Sequence, residues 1–478
     1  MSSTSLPSDF LWGYATASYQ IEGSPEADGR GLSIWDTFSR LEGTTEDGRN
    51  GDMATDSYRR WEEDIKMMKD YGVNCYRFSL SWSRIIPLGG RDDPINPAGI
   101  AHYRKFILAL RANGIEPMVT LFHWDLPQAL QDRYRGFLDR EIVLDFSRYA
   151  RVCYESFGDI VDTWITINEP NIYSILGHCI GAHAPGRSSN HKFSPEGDSL
   201  VEPYIVGHNL LLAHAAAVHI LREEFPKPSA VITIVINYLW AEPWDDSEDS
   251  KQAAADFLDA YGAWFAHPVF KGDYPKRLKE IVGDRLPKFT AEEVEYVKDT
   301  ADYFGLNHYT TNLIKKRTTP IQEGQYMESL FPHIENTFTR PDGTDIAPMA
   351  GLSWVRPVAW GFKKLLQHLY TTYGKPIYIT ENGVICPNER DLPREEGLND
   401  QFRIDYFNGY INAIIELQGE VPVKSYIIWA LLDNFEWQEG YTRFGVTWVD
   451  FDDDNKRYPK KSAYYIKDFM HKALGVAQ

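Results

Sequence analysis

Eight short apolar runs alternate with longer amphipathic segments along the whole 478-residue chain, and no linker separates them. Several runs are almost continuously apolar, which is typical of parallel strands that are covered on both faces. Between two of the runs, segment 58–72 has apolar residues at helical spacing and ends at a glycine, so we expect a helix packed on a sheet. The predicted strands are 11–19, 73–80, 117–122, 163–168, 231–237, 303–307, 377–380 and 426–431.

Eight consecutive βα units predict an α/β fold, a closed (β/α)8 TIM barrel, rather than two separate domains. The alternative is an open doubly wound sheet, which usually carries a glycine-rich phosphate-binding turn after its first strand. Neither GxGxxG nor GxxxxGK(S/T) occurs in the sequence. We therefore expect a single domain over residues 1–478, with residues 1–8 as a flexible N-terminus.

Three connections are unusually long, and they lie at 177–200, 315–352 and 386–399. They follow the predicted fourth, sixth and seventh strands, so they belong to the C-terminal face of the barrel. Loops of this length usually form lids or walls of a functional site. The sequence thus predicts a site enclosed by long loops at that face.

The charge and hydropathy of the chain exclude some classes of binding partner. The 68 acidic and 49 basic residues give a net charge of −19, which repels phosphate backbones, so we expect no nucleic-acid partner. No run approaches the ~18 consecutive apolar residues of a membrane helix, and the first residues lack the pattern of a secretory signal. We expect no membrane partner, a cytoplasmic location and four buried thiols. The oligomeric state stays open.

Two carboxylates stand at the ends of apolar strands, where a barrel places its catalytic groups. Glu169 follows the fourth strand in TWITINEP, and Glu381 follows the seventh in PIYITENG. Either glutamate alone is more readily explained as a surface residue. Together they are the minimum equipment for cleaving a glycosidic bond, because one must donate a proton and the other must attack the anomeric carbon.

The sequence resembles family 1 glycoside hydrolases, and within them most of all the intracellular fungal-type β-glucosidases. The matching segments are FLWGYATASYQIEG, YRFSLSWSRI, TLFHWDLP, TINEP, YITENG and LLDNFEWQEGY, in this order. The resemblance implies a single catalytic barrel without cofactor or metal. It also implies hydrolysis of terminal, non-reducing β-D-glucosyl residues with retention, from cellobiose, short cello-oligosaccharides and aryl or alkyl β-glucosides.

The same resemblance assigns roles to individual residues. Glu169 is expected to be the acid/base and Glu381 the nucleophile that forms a covalent glucosyl-enzyme, with carboxyl groups roughly 5–5.5 Å apart. Arg77 and Tyr309 resemble the two neighbours of the nucleophile, and a cation and a phenol donor both favour an ionised Glu381. The residues expected to bind the glucose are Gln20, His123, Asn168, Tyr309, Trp429, Glu436 and Trp437.

Three residues are expected at the aglycone site, namely Asn171, Leu176 and Trp354. Asn171 occupies a position where many relatives carry tryptophan, so a polar group replaces a stacking platform. This departure puts the aglycone preference and the sensitivity to product glucose in doubt.

Two other functions compete with a β-glucosidase. A 6-phospho-β-glucosidase of the same family needs a small hydroxyl residue and a cation where Glu436 and Trp437 stand, and a glutamate there repels phosphate. A non-catalytic carbohydrate-binding barrel is a different class, and the loss of one carboxylate would mark it. Both carboxylates are present, so the sequence favours the enzyme.

Overall fold

The computed structural model describes residues 5–476 and contains a closed barrel of eight parallel strands, β1 to β8. Each strand pairs with its neighbours in the chain, and β1 closes the barrel by pairing with β8 from Leu11↔Ser425 to Ala15↔Trp429. The predicted (β/α)8 barrel is therefore confirmed. The strands are Leu11–Ala15, Cys75–Ser79, Glu116–Phe122, Thr163–Asn168, Val231–Asn237, Phe304–Asn307, Ile377–Glu381 and Val423–Trp429.

All eight predicted strands exist, but the bounds of the first and last differ from the prediction. β1 stops at Ala15, and residues Ser18–Ile21 form a short helix instead of more strand. The backbone N–H of Ser18 donates to the side-chain Oγ of Ser79 rather than to a backbone carbonyl, and strand pairing ends at Ala15. β8 starts earlier than predicted, at Val423, and ends at Trp429, the last residue that pairs with β1.

Helices cover the outside of the barrel, as parallel strands with both faces buried require. The longest, Glu202–Glu224, is long and apolar enough to cross a membrane, yet 89% of its most apolar window is buried inside the protein. It is thus a core helix of the barrel. The covering helices, α1 to α11, are Ser57–Asp70, Pro97–Ala112, Glu141–Phe157, Glu202–Glu224, Glu248–Tyr261, Ala263–Lys271, Lys276–Val282, Ala291–Val297, Ala359–Tyr373, Gln401–Glu416 and Lys461–Leu474.

The long connections at the C-terminal face carry small elements of their own. The connection after β6 contains strands Thr311–Lys316 and Ile334–Thr337, which form a three-stranded sheet with Trp240–Pro243. After β8, a hairpin pairs Asn434–Phe435 with Tyr441–Thr442, and a second one pairs Thr447–Asp450 with Lys456–Pro459. Shorter helices lie at Ile34–Ser39, Trp82–Ile85, Gln128–Tyr134, Pro170–Ile175, Tyr326–Leu330 and Arg394–Gly397.

The structure describes only part of the N-terminal segment 1–8 that the sequence predicts to be flexible. Residues 1–4 of the predicted flexible segment 1–8 lie outside the described residues, as do residues 477–478. Leu6, by contrast, is buried, and its backbone N–H donates to the carbonyl of Ala473 at 2.8 Å. Leu6 thus packs on α11, and the flexibility of segment 1–8 stays a prediction. The four cysteines are buried free thiols, as expected.

Candidate active site

A cavity of about 540 Å³ opens at the C-terminal ends of the barrel strands and contains both predicted carboxylates. Glu169 and Glu381 line it together with side chains from the connections after β3, β4, β5, β6 and β8. The other predicted residues on its wall are His123, Asn168, Leu176, Tyr309, Trp354, Trp429, Glu436 and Trp437. Gln20 and Arg77 are fully buried behind this wall.

Glu169 is held at the cavity by the way β4 ends. Its backbone N–H still donates to the carbonyl of Val235 on β5, at 2.8 Å. Its φ of 45° lies in the left-handed region, which non-glycine residues seldom adopt outside turns and functional sites. Pro170 then begins the helix Pro170–Ile175 at the first helical position, where proline needs no N–H partner. The turn aims the carboxylate of Glu169 across the barrel mouth.

Glu381 is the last residue of β7, and two side chains from other strand ends hold its carboxylate. Arg77 on β2 donates through Nη1 to Oε1 at 2.6 Å, and both partners of this ion pair are buried. Tyr309, just after β6, donates its hydroxyl to Oε2 at 2.6 Å. The predicted neighbours of the nucleophile are therefore in place, and both stabilise an ionised carboxylate.

The two carboxyl groups have different electrostatic environments. Burial, and after it the negative charge of Glu381, raise the pKa of Glu169 to about 8. Burial also raises the pKa of Glu381, but Arg77 and Tyr309 act against this effect. Because the pair shares one buried site, the first proton leaves the carboxyl with the cation beside it. We infer an ionised Glu381 and a protonated Glu169 near neutral pH.

Two asparagines that the sequence reasoning missed hold the carboxylate of Glu169. Asn307, the last residue of β6, donates to Glu169 Oε1 at 2.7 Å, and Asn237, the last residue of β5, donates to the same oxygen at 2.9 Å. Both could have been found by the rule that selected Glu169 and Glu381, because each ends an apolar strand with a polar side chain.

Asn168 contacts both Arg77, the cation that pairs with Glu381, and His123 on the cavity wall. Its Oδ1 accepts from Arg77 Nη2 at 2.5 Å and from Asn307 Nδ2 at 3.1 Å. Its Nδ2 lies 3.0 Å from His123 Nε2. The indole of Trp124, a further cavity residue, donates to the carbonyl of Asn168 at 2.8 Å. This network fixes the side chain of Asn168, which the family resemblance implies binds the 2-hydroxyl of the glucose.

The far end of the cavity is built around a buried carboxylate, Glu436. Its Oε2 accepts from Trp429 Nε1 at 3.2 Å and from Gln20 Nε2 at 3.3 Å. Burial raises the pKa of Glu436 to about 8. The centre of the Trp437 ring lies 6.0 Å from the centre of the His123 ring. Gln20 thus reaches the cavity wall through Glu436, and its Oε1 has no hydrogen-bond partner within residues 5–476.

The aglycone prediction needs one correction. Leu176 and Trp354 line the cavity as expected, and Trp354 is 43% exposed at its mouth. Asn171 is instead fully buried and donates through Nδ2 to the carbonyl of Asn237 at 2.9 Å. The next residue, Ile172, lines the cavity. Successive side chains on a helix point about 100° apart, so only one of these two positions can face the aglycone.

The barrel, the paired carboxylates at its strand ends and the polar cavity between them define an enzyme of the glycoside hydrolase class. Comparison with known proteins agrees with this class. The sequence model described as "Glycosyl hydrolase family 1" matches residues 2–474, almost the entire chain. The chain belongs to glycosyl hydrolase family 1.

Similar proteins include curated relatives and solved structures of the family. "Beta-glucosidase 1B" of Phanerodontia chrysosporium is 53% identical over 470 residues, which cover 97% of this chain and 85% of the relative. A family 1 β-glucosidase from Humicola insolens, solved with glucose, has a TM-score of 0.95 and 48% identity over 98% of both chains. β-Glucosidase 2 of Trichoderma reesei, solved with Tris, has a TM-score of 0.93 and 46% identity over 98% of this chain and 99% of its own.

Proposed function

We propose that the protein is a retaining β-glucosidase that removes terminal, non-reducing β-D-glucosyl residues through a covalent glucosyl-enzyme. The observation that carries this function is the unequal pair of carboxylates. Glu381 forms an ion pair with the buried Arg77 at 2.6 Å. Glu169 instead accepts a hydrogen bond from the amide of Asn237, and its pKa is raised by burial to about 8. One group is thus prepared to attack and the other to donate a proton.

The reaction follows from these two states. In the first step Glu381 attacks the anomeric carbon while the proton of Glu169 passes to the glycosidic oxygen, so the bond to the aglycone breaks. In the second step the ionised Glu169 takes a proton from water, and that water displaces Glu381 from the sugar. Two inversions at one carbon leave the β configuration unchanged. In the second step Arg77 and Tyr309 stabilise the carboxylate of Glu381 as it departs.

The charges of the cavity support glucose over glucose 6-phosphate. No lysine or arginine is among the described side chains that line it, whereas four glutamates are, namely Glu169, Glu381, Glu436 and Glu439. A phosphate near these groups would lose its hydration and find no cation on the described wall to compensate for that loss. The family resemblance implies that Glu436 binds the 4- and 6-hydroxyls of the glucose, and its buried oxygens suit neutral hydroxyls.

We further propose aryl and alkyl β-glucosides, cellobiose and short cello-oligosaccharides as substrates. The connections after β4, β5 and β6 give the cavity a largely apolar wall, which suits aromatic and alkyl aglycones. The amides of Asn312 and Asn336 on the same wall can bind the hydroxyls of a second glucose. The apolar residues of this wall are Ile172, Leu176, Leu239, Met327, Phe338, Leu352 and Trp354.

A matched pair of chromogenic substrates tests this function. The wild-type protein should hydrolyse an aryl β-glucoside and should be far slower on the 6-phosphoglucoside with the same aglycone. Glu436→Ser should lower kcat/KM on the glucoside by about 10-fold to 100-fold, because two hydrogen bonds worth about 0.5–1.5 kcal/mol each are lost. A wild-type preference for the phosphorylated substrate would move the function to the 6-phospho-β-glucosidases.

A further inference from the structure

Glu436 and Trp437 lie in the turn of a short hairpin whose base is held by buried charges. The hairpin pairs Asn434–Phe435 with Tyr441–Thr442. Directly before it, Asp433 is fully buried and accepts from Arg443 Nη1 at 2.7 Å and from the backbone N–H of Gly445 at 3.1 Å. Both ends of the hairpin therefore converge on one carboxylate.

A single lysine joins this hairpin to the segment that follows the nucleophile's strand. Lys460 donates through Nζ to Asp433 Oδ1 at 2.8 Å and to Glu389 Oε1 at 2.6 Å. Glu389 lies in the connection after β7, the strand that ends at Glu381. All three charged groups are essentially inaccessible to solvent, with side-chain exposures of 0–1%. At this depth an unpaired charge is strongly destabilising, so each partner fixes the others.

Further ion pairs extend from Glu389 to helix α10 on the outside of the barrel. Arg403 on α10 donates to Glu389 Oε2 at 2.5 Å, to Asp400 Oδ2 at 2.6 Å and to the carbonyl of Arg443 at 2.7 Å. We call Asp433, Lys460, Glu389, Arg403 and Asp400 the Lys460 network. With Arg443, its three carboxylates face three cations, and only Arg443 has any appreciable exposure, at 14%. The charges of the Lys460 network and Arg443 together therefore balance, and they pair with one another rather than with solvent.

We propose that Lys460 is a positioning residue that sets the distance between Glu436 and Glu381, acting through Asp433 on one side and Glu389 on the other. The inference rests on the proposed function, in which one sugar ring must meet both glutamates at once. Its anomeric carbon has to lie at Glu381 while its 6-hydroxyl reaches Glu436. A shift of the hairpin relative to β7 would leave the nucleophile intact but misplace the acceptor of the hydroxymethyl group.

This role has a signature in substrate discrimination that lost stability alone would not produce. A β-glucoside and a β-xyloside with the same aglycone differ only in the hydroxymethyl group at C5. If Lys460 positions Glu436, its loss should remove much of the preference for the glucoside. A lysine with a purely structural role would change the amount of folded enzyme, and this amount cancels from the ratio of the two kcat/KM values.

Three variants make the first comparison. Lys460→Met keeps the length of the side chain and should lower the glucoside-to-xyloside ratio by about 5-fold or more, since the hydrogen bond of the 6-hydroxyl to Glu436 is at stake. Lys460→Arg keeps the charge and should retain most of the ratio. Arg457→Met is the matched control, because Arg457 is equally buried but pairs with Asp64 on α1. It should lower the melting temperature and leave the ratio unchanged.

A double-mutant cycle makes the second comparison. Lys460→Met and Glu436→Gln should be non-additive in kcat/KM on the glucoside, because the first change acts through the second residue. If Lys460→Met does not fold, the isosteric Asp433→Asn takes its place in the cycle. Additive losses, or an unchanged glucoside-to-xyloside ratio, would overturn the proposal. Failure of the proposed function is distinguishable, since the wild-type protein would then not hydrolyse the glucoside.

Discussion

The hydroxyl of Tyr309 offers a sharp test of how the protein keeps Glu381 ionised. Tyr309→Phe removes one hydrogen bond of 2.6 Å to Glu381 Oε2 and keeps the aromatic ring. The ion pair of Glu381 with Arg77 remains. Because the phenol donates to the charged form of the carboxylate, its loss must raise the pKa of Glu381.

The size of the shift follows from the strength of the bond. A hydrogen bond to a charged group contributes about 1.5–3 kcal/mol, and one pKa unit corresponds to about 1.4 kcal/mol. The pKa of Glu381 should therefore rise by about 1–2 units. Glu381 must be ionised to attack, so the acidic limb of the kcat/KM profile should move to higher pH by the same amount.

The assay is the pH profile of kcat/KM on an aryl glucoside with a good leaving group, for which protonation by Glu169 matters least. Tyr261→Phe is the matched control, because Tyr261 also lines the cavity but its hydroxyl donates to Asn237 at 3.0 Å rather than to Glu381. The control should leave the acidic limb in place. An acidic limb that does not move in Tyr309→Phe, or that moves equally in both variants, would refute this account of Glu381.

Two further predictions concern the carboxylates themselves. Glu381→Ala should nearly abolish hydrolysis of every glycoside, whereas Glu169→Ala should still release good leaving groups and should gain activity from added azide; equal, azide-insensitive losses would contradict the assigned roles. On a glucoside with a poor leaving group, kcat/KM should fall above about pH 8, because Glu169 must be protonated to act as the acid and its pKa is raised to about 8; a rate that stays level well beyond that pH would show that another group donates the proton.

The barrel could be predicted from the sequence because its strands carry the signal of burial on both faces. Thr163–Asn168 is buried at all six positions, and such apolar runs are visible without a structure. The ends of strands were less accessible, because single side-chain contacts decide them. The hydrogen bond from the N–H of Ser18 to Ser79 joins residues 61 positions apart, so no local sequence pattern predicts it.

The residues of the site also divide into those that the sequence could predict and those that it could not. Glu169 and Glu381 were predicted because a carboxylate at the end of an apolar strand is conspicuous. Asn237 and Asn307 end their strands with a less conspicuous polar group, and only the structure shows that both donate to Glu169. The error at Asn171 has a simple cause, since the sequence does not reveal which side of a short helix faces the cavity.

The partners of Lys460 could not be predicted from the sequence. Lys460 lies far along the chain from Glu389 and Asp433, and a lysine near the end of a chain is usually a solvated surface residue. Its complete burial appears only when β7, β8 and α11 come together. Long-range charge pairs of this kind are a property of the packed fold rather than of any motif.

The configuration of the first sugar released is the most direct test of the central claim that Glu381 attacks the anomeric carbon. Hydrolysis of an aryl β-glucoside can be followed by proton NMR before the product mutarotates. The account predicts that β-glucose appears first, because a covalent intermediate requires two inversions. α-Glucose as the first product would mean a single displacement by water, and it would contradict the assignment of Glu381 as nucleophile.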